Sequence, residues 1–399
     1  MPNMSEAHAN ALAVQRILAT EPVLVGSEPA SSALGLEAGH LGHAGPPFAH
    51  AGEIPAVVLN ALAGATVHEG WAGDVDSARR LILDGEITLH ANHDLGTVSP
   101  MAGVVRPGQL LMRIENRAGS DVVHATLAES GRRALRFGCY DGVVAEQLDY
   151  LDRVIGPSII KALPAGGLSL LPLIAQGIAL GDDTHQRNVG AMYAFAAQLP
   201  GLEAESRQWL LGNPQHFLNY AMAAAKLALD RASGIAGSSI ITAIARNGVH
   251  CGVRIAGAGQ CWFTHAASEP QGYFFPPHRP RDGQPDLGDS AIVEAYGLGG
   301  TIAHAAPELA RLMGQDWVQA RDCGRRMRQL FVGQHPLLAP ALAGPEGVGT
   351  GLDARAVVAA AEPIRIHTGI AHRDGVTGWI GIGVALAPVE CFQAALEAL

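Results

Sequence analysis

The sequence predicts an α+β fold, with two mixed α/β domains and a small all-helical domain between them or inserted. Three observations carry this prediction. Short β-prone runs alternate with helical patterns up to about residue 150, apolar residues then recur every three or four positions to about residue 232, and strand and hairpin signals return afterwards. The expected domains are therefore 1–150, 151–232 and 233–399. Of the 399 residues, 48% are hydrophobic and only 16% charged, which supplies enough apolar material for sizeable cores and argues against wholesale disorder.

The elements follow in order. A first helix is expected from Glu6 to about Ala19, capped by Ser5. Val23-Leu24-Val25 reads as a short buried strand, followed by a loop ending in His43-Ala44-Gly45-Pro46-Pro47. A helix from Ile54, with Pro55 at a tolerated early position, and a second from Asp74 to Gly85 come next. Glu86 to Ala91 and Gln109 to Glu115 read as strands. The helical stretch comprises Val143 to Leu163, Leu170 to Leu180, His185 to Leu199, Glu203 to Leu211 and Pro214 to Ala232, the last with Phe217, Ala221, Ala224, Ala228 and Leu229 on one face. Ile240 to Arg246 and Val249 to Ile255 flank Asn247-Gly248, a strong hairpin signal because both turn residues accept positive φ. Cys261 to His265 adds a candidate strand. Helices are expected over Ile302 to Met313 and Trp317 to Phe331, then strands over Ile364 to Ile366 and Trp379 to Leu386, and a final helix over Val389 to Ala398.

Charge and cysteine usage narrow the function. The net charge is −10 and no Lys/Arg block recurs, which disfavours nucleic-acid binding, whereas a few local arginines can still hold a small anion. Five scattered cysteines with no C-x-x-C pair fit a reducing compartment. The N-terminus lacks a signal-peptide pattern, and the most apolar stretch, Leu168 to Leu180, is broken by Pro172 and too short to span a bilayer. These features predict a cytoplasmic protein with no membrane partner.

Four constellations could carry chemistry. Asn92-His93-Asp94, followed by Ser99 to Gly103, offers His93 as a general base held by its neighbour, or a polar loop that caps backbone. Arg246, beside the Asn247-Gly248 turn, could clamp a carboxylate or phosphate, or simply be solvated. Asp286, Asp289 and Glu294 precede Gly297, Gly299 and Gly300, a set able to manage protons and to present backbone N–H groups to an oxyanion, or to cap a helix. In His367-Thr368-Gly369-Ile370-Ala371-His372, His367 reads as a satisfied core histidine and His372 as the functional one. Their spacing is not that of a helical zinc motif, so no metal site is assigned. Phosphate-loop, nucleophile-elbow and H-E-x-x-H motifs are absent, Gly257-Ala258-Gly259 is too little for a dinucleotide fingerprint, and Cys251 and Cys261 read as buried and inert rather than nucleophilic.

Ordered segments along nearly the whole chain resemble the YlbE-like family, a domain of unknown function whose best understood members are a component of oxamate carbamoyltransferase in allantoin breakdown. The matching stretches are His43 to Pro47, Glu69 to Ala72, Pro100 to Gly103, Glu115 to Arg117, Gly181 to Asp183 with His185, Arg187 and Asn188, His216 to Asn219, Ala245 to Gly248, Gly288 to Ile292 and Thr368 to His372. The resemblance implies carbamoyl transfer that interconverts oxalurate plus phosphate with oxamate plus carbamoyl phosphate. It also implies a small anionic amide or ureido substrate, phosphate as co-substrate, no other cofactor, and an oligomer, either of this chain or with other transferase subunits. Asp289, Glu294, His372 and His93 are then the expected proton-handling residues, and Arg246, Asn247, Asn219, Gly299, Gly300 and Thr368 the expected substrate contacts. Where the family pattern has a hydroxyl, a carboxylate and an arginine after the hairpin, this chain has Ala256, Gln260 and Cys261, which marks it as divergent. Two further readings stay open: a metal-independent amidohydrolase, and a non-catalytic scaffold or sensing subunit. The enzymatic readings expect the Asn247 turn, the Asp289 stretch and the His372 loop to converge on one pocket.

Overall fold

The computed structural model describes residues 5–338 and 347–399. It is an α+β protein, with 15 α-helices and five sheets among the described residues. The largest sheet orders its strands as Thr97–Val98, Val122–Ala125, Leu110–Asn116, Pro22–Pro29 and Leu168–Ser169. A four-stranded sheet runs Phe263–Ala266, His250–Ile255, Ile241–Asn247 and Leu287–Gly288, and a three-stranded one runs Gln271–Phe274, Trp379–Ala387 and Ile364–Ala371. A small sheet of Thr88–Ala91, His40–His43 and Val104–Val105 lies under the helix Ala56–His68.

Local chemistry accounts for many of these elements. Asp74 caps the helix Val75–Leu83 through a reciprocal box with Ser77, whereas Ser5, the expected cap, makes no side-chain cap on Glu6–Leu18. The Asn247-Gly248 hairpin forms. Gly248 takes a φ of +85°, and Asn247 Oδ1 accepts the N–H groups of Val249 and His250 at 3.0 and 2.7 Å. The expected strand after it also forms, and Phe263–Ala266 pairs with His250–Ile255.

Four elements differ from expectation. Residues His216 to Leu229 are buried on every side, so the helix His216–Asp230 is central rather than one-faced. Its alanines let strands Val122–Ala125 and Ile241–Asn247 and helices Glu6–Leu18 and Val189–Ala197 approach closely. His185 lies in a loop, and the helix begins only at Val189, because Asp183 captures the N–H groups of His185, Gln186 and Arg187. The single helix expected over Ile302 to Met313 is a 3-10 turn, Gly299–Ala305, followed by Pro307–Leu312; Pro307 has no N–H to continue the ladder. The stretch Val143 to Leu163 is helical throughout but passes through a π-turn at Leu151–Ile155.

The largest hydrophobic cluster takes in residues from Ala9 to Ala395 and includes most of the central helix. A second cluster, built on the helix Ala56–His68, reaches Met101, Phe137 and Ala371. The candidate site opens beside these residues. No helix among the described residues is long and apolar enough to cross a membrane.

Candidate functional site

A small cleft is lined by Pro100, Met101, Arg136, Phe137, His185, Gln186, Gln215, Leu218, Ser290, Gly369 and Trp379. An adjoining recess shares Pro100 and Arg136 and adds Glu129 and Asn219. Two cleft-side segments hold non-glycine residues at positive φ, Met101 (+56°) and, next to His185, Thr184 (+59°). Such conformations cost on the order of 1–3 kcal/mol each and persist where the surroundings fix them.

The floor is a pair of imidazole–carboxylate contacts. Asp183 folds the loop over itself and accepts the His367 ring at 2.5 Å. Burial acts to raise the Asp183 carboxyl, but the His367 ring and the backbone N–H of Arg187 hold it below the ordinary aspartate value. His185 Nδ1 meets both oxygens of Glu294, at 2.7 and 2.9 Å. Glu294 is itself fixed by the N–H groups of Gly300 (2.9 Å) and His367 (3.1 Å). Gly299 is needed here: at φ +59°, a Cβ would sit 2.0 Å from Glu294 Oε1. With Nδ1 committed to Glu294, Nε2 is the His185 nitrogen left for a ligand.

Arg136 supplies the positive charge. It sits on the 3-10 turn Leu135–Phe137, which Gly138 terminates at φ +86°. The side chain is buried, its nearest carboxylate is Glu129 at 4.0 Å, and no side-chain hydrogen bond engages its guanidinium among the described residues. Burial lowers its pKa, opposed by Glu129. A buried guanidinium with open donors on a cleft is suited to a planar anion.

The residues singled out in the sequence fall mostly in the layer behind this wall. Glu294, Gly299 and Gly300 come together around His185. Asp289 is fully buried and accepts the N–H groups of Gly45 (2.8 Å) and Ser99 (3.0 Å) and the Asn92 amide (3.2 Å). Burial pushes its carboxyl up to about 6. His93 lies 3.6 Å from it with neither ring nitrogen hydrogen-bonded, and burial, with Lys226 and Arg254 nearby, drives its pKa well down. Arg246 is engaged by Asp286 at 2.6 and 3.2 Å and by the Gly288 carbonyl at 2.5 Å, while Thr368 donates to the same Asp286 at 2.8 Å. This lattice fixes Gly288 to Ser290, and Ser290 faces the cleft. Asn247 donates to the Pro46 carbonyl at 2.9 Å. Asn219 lines the second recess and donates to Thr126 at 2.7 and 2.9 Å.

The Asn247 turn and the Asp289 stretch therefore meet, bridged by Gly45, whose Cβ position is filled by the Arg246 backbone at 2.5 Å. His372 lines neither recess; its Nδ1 lies 3.0 Å from Asp374. The segment Ala256 to Cys261 also lines neither recess. Sequence reasoning did not select Arg136, Gln186, Gln215 or Trp379, and it placed His185 in a matching stretch without giving it a role. Two adjacent aspartates before His185 were the available signal; Arg136 has no local motif.

Fold and cleft together define an α+β protein with a small cleft that has the His185–Glu294 pair and the buried Arg136 on its wall. The chain matches the family model described as oxamate carbamoyltransferase subunit AllG over residues 87–290. It is 35% identical to the oxamate carbamoyltransferase subunit AllG of Escherichia coli K12, across 99% of this chain and 98% of that protein. It is 33% identical to the uncharacterized protein YahG of the same organism, across 98% of this chain and 85% of that protein. A crystal structure of a conserved protein of unknown function from Enterococcus faecalis V583 superposes with a TM-score of 0.93 at 31% identity, covering 98% of this chain and 96% of that one. The chain belongs to the oxamate carbamoyltransferase subunit AllG family.

Proposed function

We propose that this chain is the substrate-holding subunit of a cytoplasmic, oxamate carbamoyltransferase-like enzyme, and that the Arg136–His185 cleft is where the small anionic amide or ureido compound binds. The observation that carries this reading is the buried Arg136 guanidinium, 4.0 Å from its nearest carboxylate, on the same wall as the His185–Glu294 pair. Arg136 would take the substrate carboxylate and the Gln186 side chain supply an amide partner for the ureido or amide group, while Gln215 is held by the Gln186 carbonyl and the Asn188 amide.

In the degradative direction, phosphate oxygen attacks the ureido carbonyl of oxalurate, the C–N bond to the oxamate nitrogen breaks, and a C–O bond to phosphorus-bound oxygen forms. The proton of hydrogen phosphate ends on the departing nitrogen, so reactants and products balance without another reagent. His185 Nε2 is the group that moves that proton, and Glu294 holds the ring in place. Asp289, His93, Arg246, Asn247 and Thr368 act by positioning Ser99, Ser290 and the cleft backbone. Asn219 holds the strand that walls the second recess, where phosphate would enter beside Arg136. Other transferase subunits complete the assembly.

The test is turnover of oxalurate by the assembled enzyme. His185→Gln is expected to lower kcat by about 10²–10⁴-fold with little change in KM. A loss below about threefold would remove His185 from the reaction. Equal turnover in phosphate-free buffer would instead support the hydrolytic reading.

A further inference from the structure

Away from the cleft, His278, Asp282 and His372 bring one potential ligand atom each to within 4.8 Å of the other two, and all three are half-buried. They are the one group of three or more metal-capable side chains this close among the described residues. We propose that they form a site for a single divalent first-row transition ion, with zinc as the type case. Nothing in the proposed reaction requires it.

The site is assembled by backbone pairing rather than by chance side-chain encounter. His278 precedes the 3-10 turn Pro280–Asp282 and Asp282 ends it, and His372 follows the strand Ile364–Ala371. Gly283 bridges to His372, Arg373 donates to the Asp282 carbonyl at 2.9 Å, and Gln284 donates to the Ala371 carbonyl at 2.9 Å. The two segments are thus held in register before any ion arrives. The His278 and His372 rings lie edge to face, 5.5 Å between centroids. Asp282 Oδ2 accepts the Arg279 N–H at 2.9 Å, and its Oδ1 lies 3.8 Å from the Nε of the exposed Arg281. His372 Nδ1 accepts the Asp374 backbone N–H at 3.2 Å and lies 3.0 Å from the Asp374 carboxylate, which Val376 and Thr377 anchor. These contacts fix the orientation of the His372 ring and leave Nε2 as its ligand atom.

The donor set decides the class of ion. Two imidazoles and one carboxylate favour Zn²⁺, Co²⁺ or Ni²⁺ over Mg²⁺ and Ca²⁺, which seek all-oxygen shells. Bonds of about 2.0–2.2 Å require the side chains to close by about 1 Å, within rotamer reach for half-buried groups. Three protein ligands leave a position for water or for a donor from another chain. His372 donates its N–H to the Gly378 carbonyl at 2.9 Å, and the next residue, Trp379, lines the cleft. A bound ion would therefore clip the 278–283 segment to the loop that carries that wall.

The experiment uses untagged full-length protein, stripped with chelator and dialysed, then titrated with zinc chloride by calorimetry and with Co²⁺ by visible absorption. One Zn²⁺ per chain at micromolar affinity or better is expected, together with a Co²⁺ ligand-field band. Mg²⁺ is expected to give no heat. His278→Gln and Asp282→Asn are expected to weaken Zn²⁺ binding by at least about 100-fold with unchanged circular dichroism. Substoichiometric uptake or affinity weaker than micromolar in the wild type, equal uptake of Mg²⁺, or full affinity in both folded variants would overturn the proposal.

Discussion

Replacing Arg136 with methionine removes the positive charge of the cleft while keeping most of the side-chain volume. A planar carboxylate on this guanidinium would make two charge-assisted hydrogen bonds, each contributing about 1.5–3 kcal/mol. Losing both should weaken binding by about 3–6 kcal/mol, or roughly 10²–10⁴-fold in Kd. The free protein should tolerate the change, because the nearest carboxylate, Glu129, is 4.0 Å away and a buried guanidinium carries its own desolvation cost. Arg136→Met with Glu129→Gln controls for the carboxylate left behind. Arg136→Lys should fall between, since ammonium keeps the charge but not the planar fork. Calorimetric titration with oxamate, oxalurate and phosphate reads the effect. Binding within threefold of wild type by folded Arg136→Met would refute the assignment of Arg136 to the anion.

Gly299→Ala places a methyl 2.0 Å from Glu294 Oε1 at φ +59°, so it should displace the carboxylate. Thermal melting and steady-state kinetics should show a loss of about 1–3 kcal/mol together with a kcat defect like that of His185→Gln. Arg246→Met leaves the buried Asp286 carboxylate uncompensated, at a cost of about 3–5 kcal/mol. For 399 residues unfolding as a unit, the unfolding entropy is about 0.8 kcal/mol/K, so Tm should drop by about 5 °C, and Asp286→Leu in the same chain should recover part of it. Burial lowers the His216 ring to about 4 from 6.5. Because the folded value is depressed, its contribution is present above pH 6.5 and is lost as pH falls through 4. Asp289, raised to about 6, has the opposite sign: its contribution is present below 3.8 and lost as pH rises through 6. His216→Gln should therefore shrink the stability lost between pH 7 and pH 4 by on the order of 3 kcal/mol, measured by denaturant unfolding at both values.

What the sequence disclosed was mainly local. Asn247-Gly248 specifies a turn by its own φ preferences, and Asp74 specifies a helix start by its own oxygen, so both could be read directly. The α+β class followed from periodicity. The all-round burial of His216–Asp230 could not be read from its pattern, because alanine serves an exposed face as readily as a crowded one. The same limit applied to the site. Asp289, Arg246 and Thr368 stand in conspicuous polar or glycine-rich runs, yet their side chains are occupied by backbone N–H groups or by the buried Asp286, and of this set Glu294 reaches the cleft only through His185. Arg136 faces the cleft from a stretch containing Arg132 and Arg133, with nothing local to distinguish it; only packing that leaves its nearest carboxylate 4.0 Å away does so. His372 stands out in the sequence only beside His367, and its neighbours His278 and Asp282 arrive through the Gly283 bridge.

The central claim is that the Arg136–His185 cleft holds the small anion, and a crystal structure of the protein with oxamate tests it most directly. The account predicts the oxamate carboxylate about 3 Å from the Arg136 guanidinium, with its amide nitrogen within hydrogen-bond reach of His185 Nε2. Oxamate ordered elsewhere on the chain, with this cleft holding only solvent, would contradict it.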